Sequence, residues 1–141
     1  MPKKSNRRGR SGCPIRIALD IFGDSWSLLI VRDMMFKQQN TFLAFQNAAE
    51  CIATNILTQR LIRLEDAGIV VKRRDRVDAR RFVYRLTQKG IDLAPMLVEL
   101  ILWSARYEKT DASPETVRAM AADPRAFAVR IIKSWQDSAR A

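Results

Sequence analysis

Apolar residues recur at helical spacing through most of this chain and alternate strictly only once. Ile15, Ala18, Leu19 and Phe22 repeat three and four apart, which predicts a short helix. Proline suits the first helical position, so Pro14 starts it and Cys13 is its N-cap; Gly23 ends it. Asp24 can cap a second helix with Trp26, Leu29, Ile30 and Met34 on one face. Lys37 to Asn40 is a polar connection. A third helix is expected from Thr41 to Glu50 with Phe42, Phe45 and Ala49 inward. After a turn at Cys51 and Ile52, a fourth begins near Ala53 or Thr54 and ends at Gly68. Leu57, Leu61 and Leu64 give it one narrow apolar stripe.

The period then changes. Ile69 to Arg74 is β-branched, then basic. Arg81 to Leu86 alternates, with Phe82, Tyr84 and Leu86 on one face and Val83 and Arg85 on the other. These runs should pair as an antiparallel hairpin. Thr87 is a good N-cap for a long helix reaching about Lys109, with Pro95 early enough to kink it. Its apolar face carries Leu93, Leu97, Leu100, Ile101, Trp103 and Tyr107. Either a copy of the chain packs on this face or residues 113–141 fold back over it. Ser113-Pro114-Glu115 and Asp123-Pro124 read as two further helix starts, the last helix carrying Phe127, Ile131, Ile132 and Trp135.

Helix, turn, helix and basic hairpin in this order predict a mainly α fold with a small β-hairpin. It is a winged helix-turn-helix with additional N- and C-terminal helices. Residues 1–12, almost without apolar side chains, are expected to be a disordered basic arm. Residues 13–110 would form the winged domain with its dimerisation helices, and residues 111–141 a helical extension.

Charge sharpens this picture. The 141 residues carry a formal charge of +10. Residues 72–85 hold seven basic side chains against Asp75 and Asp78, and residues 1–10 hold five with no acid, so these two segments account for the whole excess. Clustered cations of this kind grip a polyanion. Edge-strand protection would explain two or three charges on the hairpin, not seven.

The chain has no histidine and two cysteines, which removes the usual base for nucleophilic catalysis and most zinc sites. No enzyme activity, cofactor or metal is expected. The apolar stretches are too short to span a membrane, so the expected setting is cytoplasmic and reducing. On the fourth helix, Thr54, Asn55, Thr58 and Gln59 can exchange hydrogen bonds with base edges. Arg63, Arg76, Arg80 and Arg81 can hold phosphates. The expected partner is therefore double-stranded DNA. Neutral readers on the helix favour sequence-specific binding over a non-specific architectural or RNA-binding role, where Lys and Arg would be expected.

Several runs resemble a known family. They are Cys13-Pro14, then Ala18-Leu19-Asp20 with Gly23, Trp26 and Phe42, and above all the continuous run Ile52 to Leu61. Leu64-Glu65, Gly68-Ile69-Val70, Tyr84-Arg85-Leu86-Thr87 and Gly90 complete the set. Over about two thirds of its length the chain resembles the HxlR-type winged-helix regulators of bacteria and archaea. The resemblance implies a homodimer on a palindromic operator, assembled through the first and last conserved helices. Several members sense oxidants or electrophiles through a cysteine at the position of Cys13. As an N-cap beside Arg10 and Arg16, Cys13 is the redox candidate here, and Cys51 a resolving partner for it. The alternative is a small capping residue and a buried apolar one. An effector pocket between the dimer helices, lined by Trp26, Trp103 and Tyr107, is a further option, the alternative for those rings being core. The chain departs from the family pattern in a hairpin tip without proline, in Cys51 where glycine is usual, and in residues 111–141.

Overall fold

The computed structural model describes residues 11–140. Among them the elements run α1 (Pro14–Phe22), α2 (Ser27–Phe36), α3 (Phe42–Gln46), α4 (Thr54–Asp66), β1 (Val70–Arg74), β2 (Phe82–Leu86), α5 (Gln88–Ile91), α6 (Ala94–Tyr107), α7 (Pro114–Ala122) and α8 (Pro124–Arg140). Residues 1–10 of the expected arm lie outside the described residues; Ser11 and Gly12 are exposed and belong to no element.

Side-chain oxygens set most of the helix starts. Asp24 takes the backbone N–H of Trp26 at 2.8 Å and of Ser27 at 2.9 Å, together with the Ser27 hydroxyl at 2.5 Å. Burial pushes the Asp24 carboxyl up, but these hydrogen bonds and the nearby Arg60 charge outweigh it and hold it below its ordinary value. Thr41, Thr87, Ser113 and Asp123 accept from Ala44, Gly90, Thr116 and Ala126 in the same way. At α1 the expectation is only half met. Cys13 occupies the N-cap position, but its side chain makes no capping hydrogen bond.

Two helices differ from the expected ones. The third ends at Gln46 rather than Glu50, and Ala49 is exposed instead of inward. Glu50 is drawn to Arg32, and Cys51 takes a left-handed φ of 51° that no helix can continue. That conformation also explains why glycine suits this position. The helix expected from Thr87 to Lys109 is two helices. The first closes at Asp92, and Pro95, in the first turn of α6, starts a new one.

β1 and β2 form one antiparallel pair in the register Val70↔Leu86, Lys72↔Tyr84, Arg74↔Phe82. Leu57, Leu61 and Leu64 of α4 are buried against Ile30, Val31, Phe45, Val70, Leu86 and Val98, one continuous core. Each such side chain contributes about 1.5–3 kcal/mol. α5 approaches the connection between α4 and β1 closely: a Cβ on Gly90 would sit 2.2 Å from the carbonyl oxygen of Ile69.

The extension folds back, as one of the two sequence expectations had it. α7 and α8 pack on α6, with Met120 and Ala128 in the core. α8 also seizes β2. The Trp135 indole donates to the Leu86 carbonyl at 3.0 Å, and Arg85 donates to the Trp135 carbonyl at 2.8 Å while lying 4.9 Å from its ring. Among the described residues, no helix is long and apolar enough to cross a membrane.

Candidate nucleic-acid interface

α4 is buried along its leucine stripe, which leaves Thr54, Asn55, Thr58 and Gln59 exposed on the opposite side. The four are not equivalent. Thr58 donates its hydroxyl to the Thr54 carbonyl at 2.9 Å, and the Thr54 hydroxyl accepts from Gln46 at 2.7 Å. Asn55 and Gln59 make no side-chain hydrogen bond to the described residues, so both amides can engage a base edge bidentately. α4 starts at Ala53, which has no side chain able to cap it. Its first-turn N–H groups therefore remain available to an anion at the positive end of the helix. The sequence marks Ala53 as a possible start of this helix but gives Gln46 no role. The missing cap was readable there; the Gln46 bond, eight residues away, was not.

Three contacts fix the direction of α4. Arg60 pairs with Asp24 at 3.1 Å. Arg63, expected on a phosphate, donates one guanidinium N–H to the Asp20 carbonyl at 3.2 Å and so joins α4 to the end of α1. Arg32 binds Glu50 at 2.6 Å and Asp33 at 2.7 Å, holding the turn ahead of α4 to α2. The Arg32 hydrogen bond lowers the Glu50 carboxyl from 4.5 to about 2.

The hairpin tip is folded by its own acids. Asp75 accepts from the Val77 backbone at 2.9 Å and Asp78 from that of Arg80 at 3.0 Å. Lys72 and Arg74 both lie over the Phe82 ring, 4.3 and 4.9 Å from its centre, two cation–π contacts on the hairpin. The expected phosphate contacts divide here. Arg80 is ion-paired to Asp78 at 3.1 Å, though 91% exposed, whereas Arg76 and Arg81 form no ion pair among the described residues.

The expected dimer face divides as well. Leu97 is turned into the chain's own core at 5% exposure, so it is not offered to a partner. Leu93 and Ile101 are half-buried. Leu100, Trp103 and Tyr107 stand out at 46%, 59% and 63% exposure, with the two rings packed 5.7 Å apart. α1 buries no residue, and Ile15 and Leu19 are 71% and 55% exposed. Trp26 packs against the core. Cys13 and Cys51 are both exposed free thiols, which corrects the alternative that made Cys51 a buried apolar residue.

The profile of HxlR-like helix-turn-helix proteins matches residues 21–112. The HTH-type transcriptional regulator sll1512 of Synechocystis, itself uncharacterized, is 31% identical over 62% of this chain, which spans 64% of that relative's length. Among solved structures, PA1607, a candidate transcription factor, is 36% identical over 77% of this chain and 75% of its own, with a TM-score of 0.67. The redox regulator HypR in its oxidized form is 25% identical over 70% of this chain and 100% of its own, with a TM-score of 0.61. α7 and α8 lie beyond the matched segment. With the profile spanning more than half of the sequence, and with the winged helix-turn-helix laid out above, this chain belongs to the HxlR-like helix-turn-helix family.

Proposed function

We propose that this HxlR-family transcriptional regulator binds a palindromic operator as a homodimer. α4 would enter the major groove and the hairpin would lie along the adjacent backbone. The observation that carries this reading is the pairing of two unpartnered amides, Asn55 and Gln59, with the unpaired guanidinia of Arg76 and Arg81. Amides distinguish bases, and guanidinia hold phosphates. In this reading Thr54 and Thr58 support base contact, and Arg63 and Arg80 reach phosphate with the donors their present partners leave open. A non-specific architectural protein would instead place cations on α4.

One winged domain offers one reading helix, which is little for a tight operator complex. The exposed apolar side chains on α1 and around Leu100, Trp103 and Tyr107 supply the surface through which two copies would join. Their reading helices would then stand about 34–36 Å apart, one turn of DNA. The experiment is quantitative binding at one fixed salt concentration to the DNA upstream of the chain's own coding region and to random duplex. Preference for one palindromic segment supports the reading; equal affinity supports the architectural alternative.

Control by oxidation is favoured by one observation of its own. Cys13 is an exposed thiol at the start of a helix that lacks internal burial. A likeness to the redox regulator HypR supports the same reading. Modification of Cys13 would alter how α1 seats on a partner and, through the Arg63 link to Asp20, the direction of α4.

A further inference from the structure

α8 touches the sheet near Trp135 but stands away from it elsewhere. Between α8, the end of α2 and one side of the hairpin lies a groove of about 1040 Å³. Met34, Met35, Tyr84, Phe127 and Ile131 supply apolar lining. Arg73, Arg74, Arg76, Arg81 and Arg130 line it as well, and none of the five forms an ion pair among the described residues. The one carboxylate in the lining, Asp75, is engaged by the Val77 backbone. At one end Arg85 ties β2 to α8; burial and the neighbouring Arg73 charge hold its guanidinium below its ordinary range. None of Trp26, Trp103 and Tyr107, the rings expected to frame an effector pocket, lines this groove.

A partly apolar trough ringed by guanidinia without ion pairs has an evident chemical complement, although Gln38, Gln39, Asn40 and Thr41 line it too and Arg74 donates to the Ala79 carbonyl at 2.8 Å. A small cation is repelled, and a neutral apolar molecule leaves the guanidinia unmatched. We propose that this groove binds an amphiphilic organic anion, specifically an aromatic carboxylate. The ring would lie on the methionines, Tyr84 and Ile131, and the carboxylate would take the forked donors of the arginines. Phe127, Arg130 and Ile131 come from α8, so the site depends on the segment beyond the family match. Arg76 and Arg81 are also the hairpin cations assigned above to DNA. A bound anion would neutralise them, so occupancy would weaken DNA binding; this consequence rests on the proposed function, whereas the binding does not.

The test is calorimetric titration of the full chain, without DNA, with 2-naphthoate and with the neutral 2-naphthalenemethanol. Saturable binding of naphthoate, at least about tenfold tighter than the alcohol, is expected from one charge-assisted contact set. Arg130→Gln should weaken naphthoate about tenfold. Ser134→Trp, an exposed α8 position on the lining, should fill the groove and abolish binding while circular dichroism reports an unchanged fold. No saturable heat with naphthoate, equal binding of the alcohol, or wild-type binding by Ser134→Trp would each overturn the site. Naphthoate that bound as expected but left DNA affinity unchanged would keep the site and overturn its regulatory role.

Discussion

Arg32 holds the segment that delivers α4, and its removal should be costly. Its guanidinium gives two hydrogen bonds to Asp33, at 2.9 and 2.7 Å, and two to Glu50, at 2.6 and 2.9 Å. The Asp33 side chain is only 2% exposed, and its next cation, Lys37, is 3.8 Å away and half in solvent. Arg32→Met therefore strands a buried carboxylate, a loss of about 3–5 kcal/mol. Glu50 is 31% exposed, so solvent screens its share, which adds less than about 1 kcal/mol. Against a total stability of about 5–15 kcal/mol this is a large fraction. Urea unfolding should show a much lower midpoint at unchanged slope. Adding Asp33→Asn removes the stranded charge and should recover about half of the loss. The pH dependence has a defined sign. Glu50 titrates lower in the folded chain, at about 2 against 4.5, so its contribution is present above pH 4.5 and fades as pH falls toward 2. The stability gap between wild type and Glu50→Gln should narrow across that window. A single-variant loss below about 1 kcal/mol, or no recovery in the double variant, would mean that Asp33 does not depend on Arg32.

Three further outcomes are expected. Sedimentation at micromolar concentration should show a dimer for the wild type and monomers for Leu100→Asp, since Leu100 is 46% exposed and outside the chain's own core; a monomeric wild type would contradict the assembly. Arg81→Ala should weaken operator and random DNA alike and lower the salt slope by about one unit, whereas an unchanged slope would take Arg81 off the backbone. Diamide should release wild-type protein from its operator but not Cys13→Ser, and equal release from both would remove the thiol switch.

Local chemistry was legible in the sequence; contacts between distant segments were not. The stripe of Leu57, Leu61 and Leu64 puts α4 in its place, and Thr87 as an N-cap, Gly68 as a stop and the alternation from Val83 to Leu86 are observed, whereas Phe82 is 41% exposed. The third helix expected from the sequence is too long because Ala48, Ala49 and Glu50 are good helix formers. Their propensity yields to Arg32, which holds Glu50 from 18 residues away. Pro95 suggests a kink in one long helix, yet α5 closes before it and a proline fits a helix start better than an interior. Leu97 looks like its neighbours on an apolar face; only the folded chain, which takes Leu97 into its core, separates it from Leu100 and Trp103. The same holds for Arg85, whose alternation placed it on a strand face but gave no sign of Trp135, 50 residues on. On α4 the sequence grouped four readers that the structure separates into two engaged threonines and two open amides.

Those two amides bear most of the account. The decisive measurement is the ratio of operator to random-DNA affinity for Asn55→Ala and Gln59→Ala, made at one salt concentration with wild type alongside. Each substitution should cost about 1–3 kcal/mol on the operator and almost nothing on random duplex, so that the ratio collapses. If both variants kept the wild-type ratio, α4 would not be the reading helix.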